Sequence, residues 1–397
     1  MKEFYRFIKI NFRKISFGWL LTFLSSFGQT FLISLYVPHL TASFAITKGS
    51  FGALYAGATV IASVVMLTVG HTVDHKPIKK VTAFTILGLA TACILLGAST
   101  NVLLLGLALI ILRLCGQGLL SHISMTVISK LFIQNRGKAL SFSSLGYSAG
   151  EALLPLVVST IIAFFNWRVA AIGSGVILLL YLIRLKFTDL SHFDAYLQPN
   201  QSHSSKELIV DFKSVIFDRK FSILMPAIFS ISFINTAIFF YQYVFVEEKG
   251  WSPTLYASFF TAYAATRFLF SLVSGVWIDK FTAKKLFRFY LIPLCLGLLC
   301  YAFIDSIVGA LLYLILAGIS TGFSGTVKTS IIAEVYGTEK MGAIRSVFTM
   351  FMVISTALGP LIVGTLIDAN FQLSTIILVL FATLILVNLN SQRIARI

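Results

Sequence analysis

Four ionisable side chains stand inside long apolar runs of this chain: Arg113, Glu151, Arg267 and Lys328. A charge at a bilayer centre costs about 3 kcal/mol on insertion scales, so it persists where it is paired or faces a cavity. Arg267 lies about thirteen residues into the eighth run, near its middle. Its planar fork could hold a carboxylate through two parallel hydrogen bonds, which a lysine ammonium cannot do. The alternative is neutralisation by helix-end carbonyls or by an acid from another run. Arg113 and Glu151 fall in the fourth and fifth runs, which pass through the membrane in opposite directions and bring both to mid-depth. They read as a buried structural ion pair, or as a site where Glu151 takes up a proton when the cavity around it is dry. Lys328 is about six residues from the end of the tenth run, from where it can snorkel or pair with Glu334. Gln29, Tyr36, Gln117, Asn235, Tyr241 and Tyr243 are polar side chains able to line a cavity, and His122 is read as a satisfied polar residue.

The elements that must position these groups are membrane helices. Apolar residues make up 57% of the 397, charged residues 12%, and the mean hydropathy is +0.91. A soluble domain carries about 25% charged residues, so half the charge needed for a wet surface is missing. Runs long enough to cross a bilayer core, about 20 residues, occur at about 17–38, 50–70, 81–99, 102–128, 139–164 and 168–186. Six more follow at about 221–246, 254–278, 286–305, 308–332, 344–367 and 372–390. The expected fold is an all-α membrane protein of 12 transmembrane helices in two pseudo-symmetric six-helix bundles. The bundles are residues 1–186 and 221–397, joined by a polar linker over 187–220. The basic start shows no small-residue cleavage site after the first run, which is expected to stay as an uncleaved anchor.

A net charge of +16 would suggest nucleic acid in a soluble protein. Here 25 of the 31 Lys and Arg residues fall in the segments on the N-terminal side of the membrane, and only Lys48, Arg168 and Lys249 fall opposite. That bias places both termini in the cytoplasm and accounts for the basicity without nucleic acid. Cys93, Cys115, Cys295 and Cys300 all sit in apolar runs without metal spacing. No phosphate-binding loop, metal cluster or nucleophile elbow is present, so neither an enzyme nor a cofactor is expected.

The two halves repeat at an offset of 205 residues. Gly70 falls on Gly275, Asp74 on Asp279, Lys79 and Lys80 on Lys284 and Lys285, Gly137 on Gly342, Ser141 on Ser346 and Pro155 on Pro360. The intramembrane charges do not repeat: Arg113 meets Gly318, Glu151 meets Thr356, Arg267 meets Ala62 and Lys328 meets Ile123. A shared scaffold with unshared charges is the pattern of a transporter whose substrate site is sought where the repeat fails.

The segments GHTVDHKPIKK (Gly70 to Lys80) and GVWIDKFTAKK (Gly275 to Lys285) resemble the signature loop of the major facilitator superfamily. The resemblance implies the major facilitator fold and a latch role for Gly70, Asp74, Lys79, Lys80, Gly275, Asp279, Lys284 and Lys285. Asp74 would face the start of span 11 near Gly342, and Asp279 the start of span 5 near Gly137. Arg113-Leu-Cys-Gly-Gln-Gly118 resembles the span-4 arginine motif of that superfamily. Phe132-Ile-Gln-Asn-Arg136-Gly137-Lys138-Ala139, with Gly146-Tyr-Ser-Ala-Gly150, Pro155 and Ser16-Phe-Gly-Trp19, resembles monocarboxylate transporters and oxalate:formate exchangers. In that group an arginine on span 8 binds substrate, a place Arg267 would occupy. Tyr263 stands where the monocarboxylate transporters carry an aspartate, and the first span holds no charge.

The resulting expectation is a monomeric secondary transporter of a small carboxylate, multi-pass in a cell membrane, most simply a bacterial inner membrane. Arg267, Arg113, Tyr263, Gln29, Gln117 and Tyr241 would bind substrate and Glu151 would couple a proton. A proton-driven exporter of amphipathic or cationic compounds, or a non-transporting membrane receptor, are the alternatives.

Overall fold

The computed structural model describes residues 2–70, 72–132, 136–194, 215–337 and 341–396, and the side chains of 2–5, 67, 68, 74, 136–138, 279, 341–343, 345 and 346 lie outside the description. The described residues are almost wholly helical. We number the long helices by span: α1 (Lys2–Ser25), α2 (Lys48–Val69), α3 (Ile78–Ala98), α4 (Val102–Leu131), α5 (Arg136–Phe164) and α6 (Trp167–Lys186). In the second half they are α7 (Arg219–Glu248), α8 (Pro253–Ile278), α9 (Ala283–Phe303), α10 (Ile307–Tyr336), α11 (Met341–Asp368) and α12 (Leu373–Ser391).

Eleven helices are long and apolar enough to cross a membrane, and a bent pair, Arg6–Gly28 with Thr30–Phe44, makes a twelfth span. The expected twelve-span, all-α membrane fold therefore stands. The first span departs from expectation in two ways. Its helix begins at Lys2, well ahead of the apolar run expected at about 17–38, so the basic start is the first turns of α1. It then bends by 42° at Gln29. Ser25, Ser26, Gly28, Gln29 and Thr30 crowd this stretch, and small polar residues offer the backbone competing hydrogen bonds. The chain here runs through short 3-10 turns at Ser26–Gly28 and Ser34–Tyr36, and Gln29 is extended.

The chain divides into two compact units, one of residues 1–46 and 57–201, the other of 47–56 and 202–397. In the first, α1 and α5 approach through glycine. A Cβ at Gly146 would strike Thr22 and Trp19, and one at Gly150 would strike Ser26. Such close approach gives membrane helices their van der Waals contact, since lipid supplies no hydrophobic drive between them. Thr22 reinforces the pair by donating to the Ser143 carbonyl at 2.5 Å. Arg168 ties α6 to the end of α3, donating to the carbonyls of Gly97 and Ser99 at 2.9 Å each.

In the second unit, Gly359 of α11 packs on the Phe233 carbonyl and Ala237 of α7. The amide of Leu294 in α9 donates to Ser320 of α10 at 2.9 Å. The first turn of α2 belongs to this unit: Asp368 accepts from the amides of Lys48 and Gly49 at 2.9 and 2.8 Å. Phe51 stacks on Phe240, with ring centroids 5.5 Å apart.

Candidate functional site

In the first unit the candidate residues gather at the bend of span 1. Arg113 is 3% exposed, and its guanidinium donates to Thr59 of α2 (3.2 Å), to the Gly28 carbonyl (3.5 Å) and to Thr30 (3.4 Å). The bend makes this possible, because a continuous helix would spend the Gly28 carbonyl on its own ladder. Arg113 also lies in a π-helical stretch of α4, Leu112–Leu120, the kind of local unwinding found at functional positions. Gly28 fits directly against this stretch, where a Cβ would overlap the Leu112 carbonyl and lie within 2.7 Å of Gly116 and 2.9 Å of the Gln117 amide. Gln29 and Gln117, both half-buried, are thus neighbours of the Arg113 cradle. Glu151 is buried at 6% exposure, next in sequence to Gly150, which touches Ser26 at the same bend.

In the second unit Arg267 is half-buried near the middle of α8. Its backbone sits against two glycines of α10: a Cβ at Gly318 would lie 3.3 Å from the Arg267 amide, and one at Gly322 2.6 Å from its carbonyl. Gly318 is the residue that the repeat aligns with Arg113, so each half carries one arginine where the other half has a small residue. Thr321, adjacent to Gly322, accepts from Asn235 of α7 at 2.9 Å. Tyr263 is buried one turn before Arg267, edge-on to Phe239 with centroids 5.1 Å apart.

Tyr241 is fully buried on α7, its hydroxyl 2.7 Å from the Lys48 carbonyl and 2.9 Å from that of Pro360. That hydroxyl thus joins α7 to the first turn of α2 and to α11. Lys328 places its ammonium 3.3 Å from the sulfur of Met352 in α11, while Glu334 accepts from the Ala283 amide at 3.0 Å and caps α9.

Of the loop residues, Gly70 closes α2, its amide donating to the Met66 carbonyl at 2.8 Å. Lys79 donates to the Lys186 carbonyl at 2.7 Å, Lys80 is exposed, and Gly275 has open space around it. Lys284 is half-buried, and the Lys285 ammonium lies 5.1 Å above the Phe281 ring. The side chains of Asp74 and Asp279, with the counterparts expected for them at Gly137 and Gly342, lie outside the described residues.

Sequence reasoning missed Gly28, Thr30 and Thr59 as partners of Arg113, and Gly318 and Gly322 as the seat of the Arg267 backbone. The signal for Gly28 and Thr30 was present: five polar or small residues, Ser25, Ser26, Gly28, Gln29 and Thr30, flank Phe27 inside an apolar run, whereas nothing marked Thr59.

A sequence profile described as Major Facilitator Superfamily matches residues 18–260 and 224–391. The MFS-type transporter pynF of Aspergillus niger is 23% identical over 261 residues, covering 65% of this chain and 58% of that protein. The match thus spans little more than half the length of that relative. Among solved structures, the nucleoside transporter NupG superposes with a TM-score of 0.77 at 15% identity, over 96% of this chain and 99% of that one. A bacterial homologue of the human lysosomal transporter Spinster, inward-facing and unoccupied, superposes with a TM-score of 0.76 at 13% identity, over 96% of both chains. Both likenesses are likenesses of fold. With the profile covering nearly all twelve spans, this chain belongs to the major facilitator superfamily.

Proposed function

We propose that the chain is a secondary transporter that moves a small organic anion, a monocarboxylate, by alternating access around Arg267. The carrying observation is the seat of Arg267: mid-span, half-buried, its backbone held by Gly318 and Gly322. A fixed backbone narrows the positions the guanidinium can sample, which lowers the ordering cost of gripping a carboxylate in two-point fashion. Tyr263, one turn before Arg267, and the Asn235–Thr321 pair, next in sequence to Gly322, would complete the site. Arg113, enclosed by Gly28, Thr30 and Thr59, would act by holding the bend of span 1, with Gln29 and Gln117 beside it.

In this reading residues 1–186 and 221–397 are the two moving bundles and both termini are cytoplasmic, as the bias of Lys and Arg favours. The aspartates Asp74 and Asp279 would latch the bundles. The membrane would be a cell membrane, with the bacterial inner membrane the simplest case. The nucleoside and lysosomal-type substrates in the names of the structural relatives are different chemistry, and at 15% identity or less those relatives support the fold alone.

The test is uptake of radiolabelled short monocarboxylates into proteoliposomes. Arg267→Gln should abolish uptake while leaving membrane insertion and melting temperature intact. Full uptake by that variant would remove the carboxylate clamp. A second reading, proton-driven export of an amphipathic cation, is favoured by one observation, the burial of the Glu151 carboxyl at the bend. Export that survives Arg267→Gln but fails in Glu151→Gln would establish it instead.

A further inference from the structure

An open groove of about 260 Å³ lies on the surface of the first unit, between the N-terminal end of α3 and the C-terminal end of α6. Its walls are Ala83, Phe84 and Leu87 of α3 with Leu182 and Leu185 of α6, all apolar. Phe84 and Leu87 are 75% and 43% exposed, as side chains turned to lipid are. At its mouth stand Lys79, Lys80 and Lys186. Because α3 starts where α6 ends, these three ammonium groups share one membrane–water interface.

The surrounding charges leave this cluster cationic. Lys79 donates to the Lys186 carbonyl and so fastens the end of α6. Two acids lie in the segment that follows α6, and both accept from backbone: Asp194 from the Ile78 amide at 2.8 Å and Asp189 from the Ser191 amide at 2.9 Å. Among the described residues, neither Lys80 nor Lys186 is bridged to a carboxylate, and both are exposed. The repeat does not copy the feature. At the 205 offset Lys186 becomes Ser391, Leu185 becomes Asn390 and Ala83 becomes Arg288, which is hydrogen-bonded to Gln392 at 2.8 Å. The repeat keeps Lys79 and Lys80 as Lys284 and Lys285, so what is particular to this half is the lysine at 186 and the apolar floor.

We infer that the α3–α6 groove is a binding site for an anionic phospholipid, its phosphate between Lys80 and Lys186 and one acyl chain along Ala83, Leu87 and Leu182. The apolar floor selects a lipid over a soluble anion, and the three cations select an anionic headgroup over a zwitterionic one.

The full-length protein in mild detergent is titrated with phosphatidylglycerol, with phosphatidylcholine of the same chains, and with glycerol phosphate, and bound molecules are counted by native mass spectrometry. Phosphatidylglycerol should bind preferentially. Lys80→Gln with Lys186→Gln should weaken it about 25-fold, roughly fivefold per lysine removed. Lys284→Gln with Lys285→Gln should leave it unchanged. Ala83→Trp, which fills the groove and keeps the lysines, should also weaken it. Lys80→Arg with Lys186→Arg should retain it, and guards against loss through misfolding. Equal binding of the two lipids by the unmodified protein, or unchanged affinity in the double glutamine variant, overturns the site. Equal affinity for glycerol phosphate overturns the lipid and leaves a phosphate site.

Discussion

Asp194 accepts a hydrogen bond from the amide of Ile78 at 2.8 Å, capping α3 from a point 116 residues further along the chain. The residue 205 positions after Ile78 is Ala283, and its amide is capped in the same way by Glu334 at 3.0 Å. The repeat thus reproduces the need for a carboxylate at the start of the third helix in each half, yet meets it from two different elements. The need is physical: α3 follows Pro77, whose side chain cannot accept a hydrogen bond, and α9 follows a tight turn with Thr282 at φ 77°. Each helix start carries partial positive charge and unpaired amides.

Removing either cap should be felt in stability and little in membrane insertion. Asp194→Ala and Glu334→Ala should each cost about 1 kcal/mol, the usual value of an N-terminal cap. Unfolding of the purified protein followed by intrinsic fluorescence measures this. Because the two caps lie in different units with no shared partner, their effects should add in the double variant.

The cradle of Arg113 gives a graded prediction. Thr59→Val removes one hydrogen bond to a charged donor and should cost about 1.5–3 kcal/mol. Arg113→Met removes the donor itself and leaves the Gly28 carbonyl buried among Leu112 and Gly116 without its guanidinium, so it should cost more than Thr59→Val. Arg113→Lys should fall between the two, since one ammonium cannot span acceptors on both span 1 and α2. Melting temperatures of the three variants give the order.

How far these sites were legible depended on what carried the signal. Twelve spans could be read because each must satisfy its backbone internally and face lipid, which forces about 20 apolar residues in a row. The bend of span 1 could not, since the apolar run at 17–38 hides a backbone that leaves the helix at Ser26–Gly28. Arg113 and Arg267 stood out by charge. Their surroundings did not: Gly28, Thr59, Gly318 and Gly322 are ordinary residues whose importance comes from which helices meet there. Asp194 lies in sequence within the polar linker, and only the fold returns it to the start of α3.

Glycines of α10 separate packing from propensity. Gly318→Ala would bring a Cβ onto Thr266 and within 2.7 Å of the Tyr263 carbonyl, where backbone must yield, and should destabilise by about 1–3 kcal/mol. Gly325→Ala, in the same helix, meets nothing within 4 Å and should be neutral or stabilising by up to about 1 kcal/mol. If the α8–α10 contact is what seats Arg267, Gly318→Ala should also reduce transport in protein that remains folded, and Gly325→Ala should not.

Arg267 itself distinguishes a charge from a fork. Arg267→Gln removes both and should abolish uptake of a monocarboxylate. Arg267→Lys keeps the positive charge but loses the two parallel donors, each hydrogen bond to a charged group being worth about 1.5–3 kcal/mol. One such loss corresponds to an apparent KM raised about tenfold to a hundredfold, with the maximal rate less affected because the helix contacts at Gly318 and Gly322 involve only backbone of residue 267. Concentration-dependent uptake in proteoliposomes separates the outcomes. A lysine variant indistinguishable from the parent would mean that Arg267 supplies charge alone. A glutamine variant with unchanged KM would mean that the anion is held elsewhere.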